Sequence, residues 1–327
     1  MRNKLLDQIR FFAALSVVLI HTPFPGVLGQ GFEAVARIAV PIFFMVSGFY
    51  AFGKSKEKLL KSAKKTAILL LWSVGLYFVW GVLWSFYKGN TADYLKNYFS
   101  LNSLVETVAL NNGIILGHLW FLLALLYCYL LYTFLLRKAP DFIQVGLSSV
   151  LFVGFFVARE LLKWGGVEDP VYYLRNYLFV GIPYFLCGML INKYREKILN
   201  VPISAFMVAF CIGLVLSIIE RFTIGCSDLY VGTPIAVIAL FSLTLNPNLK
   251  SNENLSKLGK LYAGDIYIFH MLIITIVNVA ASVVGILNLT LFPWVRPFIV
   301  IAISLSVAVI VVYIRNNILT RCKKRKF

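Results

Sequence analysis

Apolar residues recur in runs of about twenty along almost the whole chain, and a helix needs roughly 20 such residues to cross the hydrocarbon core of a bilayer. Ten runs qualify: 6–24, 35–53, 66–87, 114–136, 142–162, 173–192, 202–220, 229–246, 262–286 and 294–314. They predict an all-α fold, a polytopic transmembrane helical bundle of ten spans. One stretch departs from the pattern. In 91–110, Tyr94, Leu95, Tyr98, Phe99, Leu101, Leu104, Val105 and Val108 alternate with polar residues at roughly helical spacing. That spacing predicts an amphipathic helix lying on one membrane face. A β-barrel is excluded, because barrel strands alternate over ~10-residue segments.

The connections between the runs carry the charge. With the N-terminus inside, the inner loops and tails hold 22 lysines and arginines and the outer loops 6. The inner set includes Arg2, Lys4, the six lysines from Lys54 to Lys65, and the tail from Arg315 to Lys326. This asymmetry predicts that both termini are cytoplasmic. The net charge of +17 therefore reads as membrane topology, and no nucleic-acid partner is expected. Composition agrees: 60% hydrophobic and 14% charged residues leave too few polar side chains to cover a water-soluble fold. Residues 1–327 read as a single domain without visible internal repeats. The first helix is expected to stay, because His21-Thr22-Pro23 stands where a small-residue cleavage site would lie. The five cysteines (Cys128, Cys187, Cys211, Cys226 and Cys322) form no CxxC and read as apolar filler.

Ionisable groups inside apolar spans are costly and mark candidate functional positions. All three histidines, His21, His118 and His270, lie in or at the ends of spans. Eleven residues separate Arg10 from His21, which carries His21 about 20° past three full turns, on the same face and about 16 Å away. Asp7 and Arg10 are spaced to pair. Arg37 opens the second span, where Pro41 frees a backbone carbonyl and Ser47-Gly48 permits close helix approach. Tyr267 and His270 are spaced for a hydrogen bond along the helix, and Glu220-Arg221 is either a functional pair or a helix-end pair. No HxxxH or Glu-xx-His spacing supports a metal, and none is expected.

Four motifs occur in order: Arg10 with His21, Phe43 to Phe49 (FFxxSGF), His118 to Phe121 (HLWF), and Tyr267 with His270 (YxxH). Together they resemble the acyltransferase-3 family, the integral membrane O-acyltransferases of bacterial envelopes, over about residues 3–315. Ala36 to Pro41 and the six-lysine loop also resemble the membrane domain of VanT-type serine racemases. The soluble racemase domain of those proteins is not expected here.

The resemblance implies a multi-pass protein of the bacterial cytoplasmic membrane. Its expected reaction moves an acyl group, usually acetyl, from cytoplasmic acetyl-CoA to a hydroxyl of an envelope polysaccharide or lipid-linked sugar. His21 is then the expected general base, since an imidazole titrates near neutrality. Arg10, Asp7, Ser47, Lys54 and Lys56 form the expected donor site. His118 and Arg37 orient His21 or bind the acceptor, and Tyr267, His270, Glu220 and Arg221 support the packing. The lipid bilayer is a partner throughout, and a homodimer is compatible with this reading. Two alternatives stay open: a transporter or flippase, which would carry broken helices, and a VanT-like amino-acid-handling module.

Overall fold

The computed structural model describes residues 2–324. Met1 and the last three residues, Lys326 of the counted tail among them, lie outside the described residues, as does the Cys322 side chain. Among the described residues the fold is all α-helical, with no strand. The helices are α1 (Lys4–His21), α2 (Gly26–Ala36), α3 (Ala39–Phe49), α4 (Lys56–Lys88), α5 (Thr91–Tyr98), α6 (Leu101–Val105), α7 (Trp120–Leu131) and α8 (Asp141–Trp164). They continue as α9 (Val171–Leu174), α10 (Ile182–Lys193), α11 (Arg195–Leu199), α12 (Ile203–Thr223), α13 (Gly232–Leu243), α14 (Glu253–Leu261), α15 (Ala263–Val283) and α16 (Phe292–Lys324).

Seven helical segments are long and apolar enough to cross a membrane: Gly26–Phe49, Lys56–Lys88, Gly117–Leu136, Asp141–Trp164, Ile203–Thr223, Ala263–Val283 and Phe292–Ile318. The other three expected spans coincide with α1, which carries Lys4, Asp7 and Arg10, and with two shorter apolar helices, Tyr177–Lys193 and Gly232–Leu243.

Several boundaries differ from the sequence expectation for identifiable reasons. α4 begins at Lys56 rather than 66. At 33 residues it is about 50 Å long, well beyond the ~30 Å hydrocarbon core, so its lysine-rich first turns reach past the apolar layer. The second span is broken at Arg37–Ile38. Pro41 has no N–H to give the Arg37 carbonyl, and its ring crowds that carbonyl. The stretch 91–110 is two short helices followed by a π turn at Glu106–Leu110, not one helix. Ser100 restarts the chain there, its hydroxyl accepting from the Ser103 N–H at 3.1 Å.

The residues form two compact units. The first comprises residues up to Phe43 together with those from Glu196 onward. In it α1 packs on α14 and α15, α12 on α13 and α2, and α15 on α16. The start of α1 is fixed by long-range bonds: Asn3 Nδ2 donates to the Thr244 carbonyl at 2.8 Å and Ser256 Oγ to the Lys4 carbonyl at 2.8 Å. Asp265 accepts from Arg315 at 3.2 and 3.3 Å, tying α15 to α16.

The second unit spans Phe44–Arg195. Here Gly48 allows the close approach expected of it, since a Cβ at that position would lie 1.8 Å from the Phe185 carbonyl oxygen of α10. Asn192 Nδ2 donates to the Phe49 carbonyl at 2.7 Å across the same contact. Ser47 lies one residue before this crossing, half-buried.

Candidate active site

α1 ends at His21 because Thr22 precedes Pro23 and is pushed out of the helical region, to φ −133° and ψ 63°. The ring therefore sits on the last turn, exposed, where the negative end of the helix dipole favours a cationic side chain. The helix face that carries Arg10 and His21 also carries Ala14 and Val17, both buried, so the spacing sets both polar groups along the interior side of α1.

The structure brings His21 to His270, the fully buried histidine of α15. Their ring centroids are 5.2 Å apart, with planes tilted by 38°. His270 Nδ1 lies 2.7 Å from the Tyr267 carbonyl oxygen. A carbonyl only accepts, so Nδ1 carries the proton and the tautomer of His270 is fixed. The expected bond between Tyr267 and His270 thus forms through the Tyr267 main chain, while the Tyr267 ring packs on Phe43 at 6.5 Å.

At the other end of α1, Asp7 is 3% exposed. Its two oxygens take the fork of Arg2, at 2.7 and 2.7 Å, while Arg10 lies at 3.4 Å. The expected Asp7–Arg10 pair forms, but Arg2 is the stronger partner.

Arg37 sits in a network that only folding assembles. Its guanidinium pairs with Glu33 at 2.5 Å, one turn back on α2, with Asp228, and with the Cys226 Sγ at 3.2 Å. Arg221 reaches the second oxygen of Glu33 at 3.1 Å. Glu220 does something else: its carboxylate accepts from the Val231 and Gly232 N–H groups at 2.9 and 3.2 Å, capping the start of α13. Glu220 and Arg221 are therefore not a pair with one another. The Glu33–Arg37 spacing of four was legible in sequence, whereas Asp228 and Cys226 arrive from a loop nearly two hundred residues away. Cys226 is exposed and hydrogen-bonded to Glu33 at 3.0 Å, so it is not apolar filler.

The second unit holds the other expected residues. His118 lies in a 3-10 turn, Gly117–Leu119, and packs edge-on against Tyr77 at 4.5 Å. Trp120 and Phe121 of the same motif pack on Phe44 at 6.3 and 4.7 Å. Sequence reasoning missed a set of amides beside them. Asn111, fully buried with φ 63°, donates to the Trp120 carbonyl at 3.0 Å and accepts from the Tyr177 N–H at 3.2 Å. Asn112 accepts from Arg175 at 3.3 Å, whose guanidinium lies 5.7 Å from the Trp120 ring centre. Lys56 covers the Phe134 ring at 4.8 Å. Burial, and after it the like charges of Lys65 and Lys58, hold the Lys54 ammonium below the usual lysine range. The expected donor set is thus divided, with Arg10 and Asp7 in the first unit and Ser47, Lys54 and Lys56 in the second.

No cluster of three or more His, Cys, Asp or Glu with metal-binding geometry occurs among the described residues.

The acyltransferase-3 family model, described as an acyltransferase domain, matches residues 3–313. The chain is 28% identical over 322 residues to an amino-acid racemase of Enterococcus faecalis, covering 86% of this chain and 42% of that protein. It is 29% identical over 277 residues to a serine/alanine racemase of Enterococcus gallinarum, covering 75% of this chain and 37% of that protein. The chain therefore spans about two fifths of the length of the curated relatives it matches. No solved structure matches it. With a family match running through both units and all four motifs, the chain belongs to the acyltransferase-3 family.

Proposed function

We propose that this protein is a membrane O-acyltransferase that moves an acetyl group from cytoplasmic acetyl-CoA to a hydroxyl of an envelope polysaccharide or lipid-linked sugar. The observation that carries the reading is the His21–His270 contact at the end of the helix face that also bears Arg10. His21 takes the proton of the attacking sugar hydroxyl. The alkoxide oxygen bonds to the thioester carbonyl carbon, the carbon–sulfur bond breaks, and the proton returns from His21 to the departing CoA sulfur. His270 is a positioning residue, because its backbone bond holds one orientation against the His21 ring. Arg10 supplies a guanidinium fork for a donor phosphate. Asp7 steadies it. Arg37, in the same unit as His21, serves the acceptor.

The test is transfer of labelled acetyl from acetyl-CoA to an envelope fraction. His21→Ala should lower transfer by about 10²–10⁴, the usual loss for a general base, with normal membrane insertion. Near-parental transfer by His21→Ala overturns the assignment.

A second reading follows from the relatives named serine/alanine and amino-acid racemases, which fit a membrane module that delivers an amino acid. The break at Arg37–Ile38 favours it, since discontinuous helices serve transport sites. Uptake of labelled serine into vesicles, without acetyl transfer, selects this reading.

A further inference from the structure

The first turns of α4 present two faces of opposite kind. Leu59, Ala63, Thr66 and Leu70 recur at i, i+4, i+7 and i+11, and all are buried. Lys58, Lys61 and Lys65 recur at i, i+3 and i+7 on another side, all exposed, within about 60° of one another along roughly 10 Å of helix. Among the described residues none of these three ammonium groups has a carboxylate partner. Glu57, the one carboxylate of the segment, lies off that face, and its cationic neighbours are Arg137 and Lys56. Lys54, half-buried just before the helix, brings a fourth ammonium on which the charges of Lys65 and Lys58 bear. Like charges gathered in this way call for an anion.

Further along, the same face changes character. Ile68, Leu69 and Trp72 follow Lys65 at i+3, i+4 and i+7, and they are 54%, 40% and 69% exposed. Rows of cations thus give way, within two turns, to an apolar row that carries an indole. Apolar residues bare to the hydrocarbon set the neighbouring lysines at headgroup level, where their methylene stems lie along the helix and their ammonium groups reach outward. A phospholipid with a net negative headgroup matches both parts. Its phosphodiester oxygens accept from the ammonium groups, and its acyl chains run along Ile68 and Leu69 beside Trp72, a ring suited to the membrane boundary. A zwitterionic lipid brings its own cation and gains less. We propose that this face of α4 is a binding site for anionic phospholipid, which fixes how far the long helix stands out of the bilayer. The site lies within one unit and does not depend on which reaction the chain performs.

The experiment titrates the full chain, in a neutral detergent, with phosphatidylglycerol and separately with phosphatidylcholine, and counts bound lipid by native mass spectrometry. The parent should bind phosphatidylglycerol more tightly. A lysine beside an anionic headgroup is worth about fivefold in affinity, so the triple variant Lys58→Gln, Lys61→Gln, Lys65→Gln should lose about a hundredfold for phosphatidylglycerol. Its binding of phosphatidylcholine should be unchanged, which also reports that it is folded. Arginine at the same three positions keeps the charge and should restore the preference. Lys88→Gln, at the opposite end of α4, should match the parent. The proposal is overturned if the parent binds the two lipids equally, if the triple glutamine variant retains the preference, or if Lys88→Gln loses as much. Displacement of the lipid by inorganic phosphate or by CoA also overturns it, since the lysines would then form a site for a soluble phosphate.

Discussion

Two pairs of motifs meet in this chain, one pair in each unit, and they meet differently. In the first unit, Arg10–His21 and Tyr267–His270 come together through two imidazole rings, one exposed and one buried with its proton fixed. In the second, FFxxSGF and HLWF come together through the rings of Phe44, Trp120 and Phe121. The first arrangement places an exposed imidazole at a helix end. The second supplies packing, and its polar work is done by neighbouring amides bonded to main chain. The two contacts thus differ in kind: one pairs two titratable rings, the other packs aromatic side chains.

Four measurements break or sharpen this contrast. Phe44→Ala removes a fully buried ring, and loss of such a ring costs about 3–5 kcal/mol. It should lower the thermal midpoint strongly while the molecules that stay folded transfer acetyl at near-parental rate; a collapse of rate without loss of stability would give this motif a chemical role. Arg37→Ala leaves Glu33 and Asp228 without their shared cation, and breaking such a buried pair costs about 3–5 kcal/mol. Unfolding in detergent should show the loss, and Arg37→Lys should recover only part of it because the planar fork is gone. An unchanged midpoint in Arg37→Ala would mean the network is incidental.

His270→Asn should lower kcat about tenfold, or 1.4 kcal/mol, with donor KM unchanged, and should displace the pH profile of kcat, because His21 loses its oriented neighbour. A stability loss alone, with the pH profile intact, would make His270 structural. The smallest effect belongs to Glu253. Its bond and charge contact with Lys4 hold its carboxyl below the usual carboxylate range. A carboxylate lowered in this way contributes stability above its unfolded pKa, about 4.3, and loses it as pH falls through the lower folded value. Both partners are largely exposed, so Glu253→Gln should leave the neutral-pH midpoint unchanged within error.

The ten apolar runs were legible because helix length and bilayer thickness impose one scale on the chain, and each has a helical counterpart. Arg10 and His21 fell on one interior face because helical phase depends only on residue count. Spacing also gave the Tyr267–His270 bond, though not that the carbonyl makes it. Glu220–Arg221 misled, since adjacency says nothing about which carboxylate finds which cation; Glu220 caps α13 and Arg221 turns to Glu33.

By itself, then, the sequence determined the helical class and the inward face of α1, both properties of local phase. Only the tertiary structure decided that His21 lies against His270, that Arg37 answers to Asp228, and that Tyr94 of α5 packs against Gly81 of α4. Those are contacts between segments far apart in the chain or set by how helices cross. Residue spacing fixes the direction a side chain takes from its own helix, whereas packing fixes what stands opposite.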